Sequence, residues 1–194
     1  MDVFEKAVAF ALNAHSGQTR KLEDIPYFLH PAEAAAIAAT LTCDRETLAA
    51  VILHDTVEDT DTTLDELRHE FGDRVAELVN AETEPACAGM SRAESWHYRK
   101  ESSLKELSEC SDREVKIMWL SDKLSNMRAF YRRFIVEGDA IWQKLNHSDI
   151  GDQEWYFRSI AENLSEFAGT HAYMEYTYLL NQVFPEVENE YKDE

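Results

Sequence analysis

A chain of 194 residues with 44% apolar and 29% charged side chains is long enough for one sizeable core, and no apolar stretch approaches membrane-spanning length. Its net charge of −19 repels phosphate backbones and anionic lipid surfaces, so nucleic-acid polymers and membranes are excluded as default partners. Cys43, Cys87 and Cys110 are odd in number and far apart, and the start Met1-Asp2-Val3-Phe4 lacks a basic segment followed by an apolar run; reduced thiols and a cytoplasmic location are expected.

Phe4, Ala7, Val8, Ala11 and Leu12 recur at helical spacing, and Gly17 is suited to the left-handed position after the helix end near His15. A polar loop with Gln18-Thr19-Arg20-Lys21 and Pro26-Tyr27 follows, before His30-Pro31 opens a second helix over Ala34 to Leu41. Asp44 is placed to cap a third helix carrying Leu48, Val51, Ile52 and His54, and Thr63 with Glu66 resembles a capping box for a short helix ending at Phe71-Gly72. Val75, Leu78 and Val79 mark another helix. Apolar periodicity disappears from Glu82 to Met90, which reads as a loop.

Helical spacing returns over Trp96 to Leu107 and is strongest over Val115 to Phe130. Two more helices are expected, near Glu154 to Phe167 and Thr170 to Phe184. There is no alternation of period two, no repeat and no linker composition. The fold class is therefore all-α, with one domain over residues 1–184 and an acidic tail over 185–194. Tyr173, Tyr176 and Tyr178 are candidates for the surface of a homo-oligomer, with core packing the competing role.

Chemistry concentrates in Leu53-His54-Asp55-Thr56-Val57-Glu58-Asp59, where four ionisable groups follow an apolar run directly. Read as a continuous helix, it stacks His54 with Glu58 and Asp55 with Asp59 on one face. Carboxylates packed there need compensation, and a divalent cation supplies it. More ligands must come from elsewhere. His30 sits before a helix-starting proline, and Asp122 interrupts the apolar helix Ile117-Met118-Trp119-Leu120-Ser121. Two imidazoles and two carboxylates form a mixed N/O set that suits Mn²⁺, Fe²⁺ or Zn²⁺ better than Ca²⁺. Arg20-Lys21 is one of few basic pairs in an acidic chain, and its loop beside His30 suits phosphate capture. Arg99-Lys100 and Arg132-Arg133 are the others, with surface ion pairs favoured for the last.

Three stretches in this order carry a family resemblance. They are Ala14 to Lys21 with Pro26 to Pro31, Leu53 to Thr60, and Leu120-Ser121-Asp122-Lys123-Leu124-Ser125-Asn126-Met127-Arg128. The chain resembles the HD superfamily of metal-dependent phosphohydrolases. More narrowly, it is similar to the guanosine tetraphosphate hydrolase domain of RelA/SpoT-type proteins and its small stand-alone, MESH1-like relatives. The resemblance implies an HD-domain helical bundle in which His30, His54, Asp55 and Asp122 bind one Mn²⁺. It implies that Glu58 and Asp59 position and activate the attacking water. It further implies that Arg20, Lys21 and Asn126 line a nucleotide pocket closed by Tyr156, with Arg99 within reach of a phosphate.

The activity so implied is hydrolysis of guanosine 3′,5′-bis(diphosphate) or its pentaphosphate to GDP or GTP and pyrophosphate, with no room for a synthetase domain. Two departures bear on the substrate. Asn80-Ala81-Glu82-Thr83-Glu84-Pro85 stands where the family has a Val-Thr-Lys-like segment, which removes a base and puts two acids near the pocket rim; Leu22-Glu23-Asp24 is also more acidic than the usual turn. A phosphatase of another nucleotide, such as NADPH, is the alternative with the same metal. A catalytically silent nucleotide-binding module is the alternative without turnover.

Overall fold

The computed structural model describes residues 2–20, 22–84, 87, 89–91 and 93–185. Among them every extended element is helical, as the periodicity predicts. Helix α1 (Val3–Ala14) opens with a full capping box, in which Asp2 Oδ1 accepts from Glu5 N–H and Glu5 Oε2 accepts from Asp2 N–H, each at 3.0 Å. It stops at His15, and Gly17 turns the chain at φ +79°. The following loop is more ordered than its polar composition suggests. Arg20 N–H donates to Ile25 C=O and Tyr27 N–H to Gln18 C=O, both at 2.9 Å, so a short antiparallel pairing between Thr19 and Pro26 sets Arg20 and Tyr27 on one rigid support.

Helix α2 (Leu29–Ala38) begins before Pro31, whose missing N–H falls among the first-turn donors that no helix satisfies, and ends earlier than Leu41. Helix α3 (Arg45–Leu53) is capped by Asp44, which accepts from Thr47 N–H at 2.7 Å. Residues Thr47 to Leu53 are all buried. A helix apolar on every side belongs inside, and α1, α2, the later α6 and α8 all pack around it.

The expectation of one continuous helix through His54 and Asp59 is corrected here. The α-helix stops at Leu53, His54 and Asp55 form a turn, and a single further turn, α4 (Thr56–Asp59), follows. The cause is local competition for carbonyls: His54 Nδ1 lies 2.7 Å from Val51 C=O, and Thr56 Oγ1 donates to Leu53 C=O at 2.7 Å. Asp55 and Asp59 nonetheless keep the i,i+4 relation, since Asp59 N–H donates to Asp55 C=O at 2.9 Å.

Helices α5 (Leu64–Phe71) and α6 (Asp73–Glu82) pack on one another across Gly72, which adopts φ +92°. Thr63 caps α5 by accepting from Glu66 N–H at 3.2 Å. Helix α7 (Trp96–Glu109) lies against α9 (Ile150–Asn163). Helix α9 starts earlier than expected because Asp149 caps it, accepting from Asp152 N–H at 2.9 Å; Ser165–Phe167 beyond it is a separate 3-10 turn.

Helix α8 (Arg113–Glu137) has 25 residues and is the spine, with α2, α3, α6 and α10 (His171–Val183) packed on it. A 3-10 turn over Gly138–Lys144 then inserts Trp142, whose ring lies 5.0 Å from that of Phe184. Tyr176 is fully buried and donates to Phe157 C=O at 2.9 Å, so of the three late tyrosines it is a packing residue, whereas Tyr178 is exposed. No helix among the described residues is long and apolar enough to cross a membrane.

Candidate metal centre and cavity

The turn after α3, the start of α2 and the middle of α8 meet at one point, and the four predicted ligands meet with them. His30 Nε2 lies 2.9 Å from Asp122 Oδ1 and 3.5 Å from Asp55 Oδ2; His54 Nε2 lies 3.0 Å from Asp55 Oδ2 and 3.6 Å from Asp122 Oδ1. The rings stand nearly perpendicular, with centroids 5.1 Å apart. His30, His54 and Asp122 are buried and each offers an atom within 4.8 Å of the others.

The remaining ring nitrogens determine which atoms face the cluster. His54 Nδ1 faces the Val51 carbonyl, which only accepts, so Nδ1 carries the hydrogen. His30 Nδ1 lies 2.9 Å from Ser125 Oγ, and Ser125 gives its own proton to Glu33 Oε2 at 2.7 Å, so His30 Nδ1 is also a donor. Both Nε2 lone pairs are therefore left pointing at two carboxylates. Among the described residues, the buried His54 Nε2 has no hydrogen-bond partner. With protein groups alone, the conflict is relieved by a proton. Burial opposes charging His54, but Asp55 and Asp122 hold its ring well above the ordinary imidazole range, while burial pushes His30 below it. Burial would raise Asp55 and Asp122 too, yet His54 holds the first and Lys123 the second well below ordinary carboxylates.

A divalent ion relieves the same conflict. Two donors each about 2.1 Å from an ion stand about 3.0 Å apart at a right angle and about 3.4 Å apart at a tetrahedral one. The four separations above fall around these values, and the N₂O₂ donor set suits a borderline transition metal. Ser125 and Glu33 behind His30, and Val51 C=O behind His54, supply the backing that orients metal-binding imidazoles.

A cavity of about 590 Å³ opens from this cluster. Glu58 and Asp59, on α4, line it. Glu58 Oε1 accepts from Glu84 N–H at 2.7 Å, and Asp59 Oδ2 lies 3.0 Å from Tyr27 Oη. Asn126, one helical turn beyond Asp122, donates to Asp122 Oδ1 at 2.7 Å and accepts from Arg20 Nη2 at 2.8 Å, which ties the first loop to the metal cluster. Tyr156, from α9, forms part of the wall. Arg99 also lines the cavity, with its guanidinium paired to Glu84, and Lys21 lies outside the described residues. Arg132 and Arg133 form the surface ion pairs expected of them, with Glu23 and Glu137.

The structure adds Tyr27 and Ser125 to the site. Tyr27 Oη lies 2.7 Å from Asp55 Oδ2 as well as 3.0 Å from Asp59 Oδ2, so one hydroxyl joins a predicted ligand to the predicted acid pair. Ser125 follows Asp122 by three positions, which on a helix is the same face; that spacing was the available sign of it. Lys123 holds Asp122 Oδ2 and lies 3.8 Å from Glu82 Oε1. Glu82 and Glu84, the acids that depart from the family pattern, both line the cavity.

The chain is similar to known proteins in sequence and in fold. A guanosine-3′,5′-bis(diphosphate) 3′-pyrophosphohydrolase of Aquifex aeolicus (strain VF5) is 38% identical over 127 residues, 66% of this chain and 18% of that protein. The chain thus spans about a fifth of the length of that curated relative. A solved protein of Listeria monocytogenes EGD-e superposes with a TM-score of 0.68 at 30% identity, covering 80% of this chain and 98% of that one. A metazoan orthologue of SpoT, described as hydrolysing ppGpp, superposes with a TM-score of 0.75 over 94% of this chain and 96% of its own; at 22% identity it speaks to the fold. Residues 7–149, which include all four clustered residues, match the HD domain model, and the chain belongs to the HD domain family.

Proposed function

We propose that this chain is a Mn²⁺-dependent phosphohydrolase that removes pyrophosphate from the 3′ position of guanosine tetra- or pentaphosphate. The observation that carries the reading is the pair of imidazole Nε2 atoms facing two buried carboxylates, an arrangement that calls for a cation. Similarity to the Aquifex aeolicus pyrophosphohydrolase over the site-bearing segment supports the substrate class. The unit that acts is taken as residues 1–184, because α10 packs on α8 and α9 and so joins the core that bears the site.

His30, His54, Asp55 and Asp122 would hold the ion, which when bound supplies positive charge to a phosphate oxygen and acidifies water. The chain's own groups do the rest. Glu58 and Asp59 stand on a single helical turn beside the cluster, placed to take a proton from the attacking water and return one to the leaving oxygen. Tyr27 fixes the orientation of Asp55 and Asp59 relative to one another. Arg20, aligned by Asn126, neutralises charge that develops on the phosphate, and Tyr156 shields the cavity from water. The mixed donor set also accommodates Fe²⁺ or Zn²⁺.

Purified protein loaded with Mn²⁺ is expected to convert guanosine tetraphosphate to GDP and pyrophosphate, and no turnover with a loaded site would refute the substrate. A panel that includes NADPH tests the alternative phosphatase, which guanine preference would exclude. Glu58→Gln is expected to lose turnover while retaining metal, a result that a silent binding module cannot give.

A further inference from the structure

We propose that Lys100 and Lys123 form an anion subsite that takes a second phosphate group of the ligand, apart from the one held at the divalent ion. This rests on the phosphohydrolase reading for the identity of the ligand but not for the binding itself. The two lysines come from α7 and α8 and line the same cavity wall. Each ammonium lies over an aromatic ring, Lys100 Nζ 4.4 Å from the Tyr156 centroid and Lys123 Nζ 4.8 Å from that of Trp119. Such rings support a desolvated cation without consuming its hydrogens. Among the described residues each ammonium has one carboxylate within hydrogen-bond reach, Glu84 for Lys100 and Asp122 for Lys123, although it carries three donors.

Placing two like charges in one buried wall is costly unless an anion joins them. Burial lowers the pKa of Lys100, and the charge of Lys123 adds to that. The carboxylates present serve the lysines incompletely. Glu84 is shared with Arg99, and Glu82 stands 3.8 Å from Lys123 with both oxygens buried and, among the described residues, without a hydrogen bond. A cation bound by Asp122 would draw that carboxylate's charge away from Lys123, so ion loading would strengthen the wall's demand for an anion. A ligand with phosphate groups at two separated positions satisfies both ends of the cavity at once.

The test is calorimetric titration of metal-loaded protein with guanosine 5′-diphosphate, which lacks the 3′ group. Wild type is expected to bind it, and Lys100→Met and Lys100→Gln to bind about tenfold more weakly or worse, because a charge-assisted contact is lost. Metal content and thermal melting, measured on the same samples, establish that each variant is loaded and folded; either folded variant decides. Undiminished affinity in a loaded variant, or no binding by loaded wild type, overturns the subsite. Since no turnover is needed, failure of hydrolysis alongside Lys100-dependent binding would sink the hydrolase reading alone, and hydrolysis alongside Lys100-independent binding would sink only the subsite.

Discussion

Removing and restoring the divalent ion should move the thermal stability of this protein by a calculable amount. The cluster of His30, His54, Asp55 and Asp122 is assembled by the packing of α2, α3 and α8, so an unfolded chain cannot reproduce its separations of 2.9 to 3.6 Å. An ion that binds only the folded state stabilises it by about 2.7 kcal/mol when its free concentration is about a hundred times Kd. For a domain of this length each kcal/mol moves the melting point by about 2–4 °C, so the expected rise is about 5–10 °C. The assay is a melting curve of chelator-treated protein with and without added Mn²⁺, followed by Fe²⁺ and Zn²⁺. Asp122→Asn provides the contrast. It keeps the volume of the side chain but removes a charge shared by both imidazoles and Lys123, so its melting point should be indifferent to the ion. No rise in wild type with any of the three ions, or an equal rise in Asp122→Asn, would refute the reasoning.

Tyr27→Phe removes the hydroxyl that joins Asp55 to Asp59, and kcat/KM should fall about tenfold to a hundredfold, as when the backing of a metal ligand is lost; unchanged kinetics would count against Tyr27 as a positioning residue. Away from the site, Arg74 grips Asp112 with two hydrogen bonds of 2.7 and 3.1 Å and brings its pKa down to about 2 from 3.8. The side chain is 32% exposed, so after discounting for solvent the pair contributes about 1 kcal/mol. Because the folded carboxyl has the lower pKa, this contribution is complete above about pH 4 and is lost as the pH falls toward 2. Asp112→Asn still caps α8, so in chemical denaturation it should be about 1 kcal/mol less stable at pH 7 and lose that deficit near pH 2.

Much of this architecture is legible in the sequence because each helix carries its own marks. Asp44 and Thr63 cap where they are expected to, Gly17 turns where it must, and α8 runs as one helix through Asp122. The misread boundaries have local causes. At His54 and Thr56 side chains take carbonyls that a continuous helix would use, and at Asp149 a cap extends α9 backwards by four residues. Neither effect has a periodic signature. The residues that cluster could be singled out because their settings are anomalous, a carboxylate inside an apolar helix and a histidine ahead of a helical proline. Tyr27 could not. An aromatic in a polar loop is ordinary until the fold shows what stands opposite it.

That asymmetry has a physical basis in the way the site is built. Where the start of α2, the turn after α3 and the middle of α8 meet, His30, His54 and Asp122 are buried, so they cannot escape to solvent and must be satisfied where they are. A buried polar group in such a place is visible in sequence as a break in hydrophobicity. The groups that complete the site come instead from the loop before α2, the end of α6 and the first two turns of α7. There a charge is unremarkable, and its role depends on which wall of the cavity it reaches. The family resemblance covers both the buried set and the loop before α2, and the departures at Glu82 and Glu84 fall at and just after the end of α6. The ion would thus be held by the buried set, and the wall formed by Glu82, Glu84, Lys100 and Lys123 is where differences in the preferred phosphorylated ligand would be written.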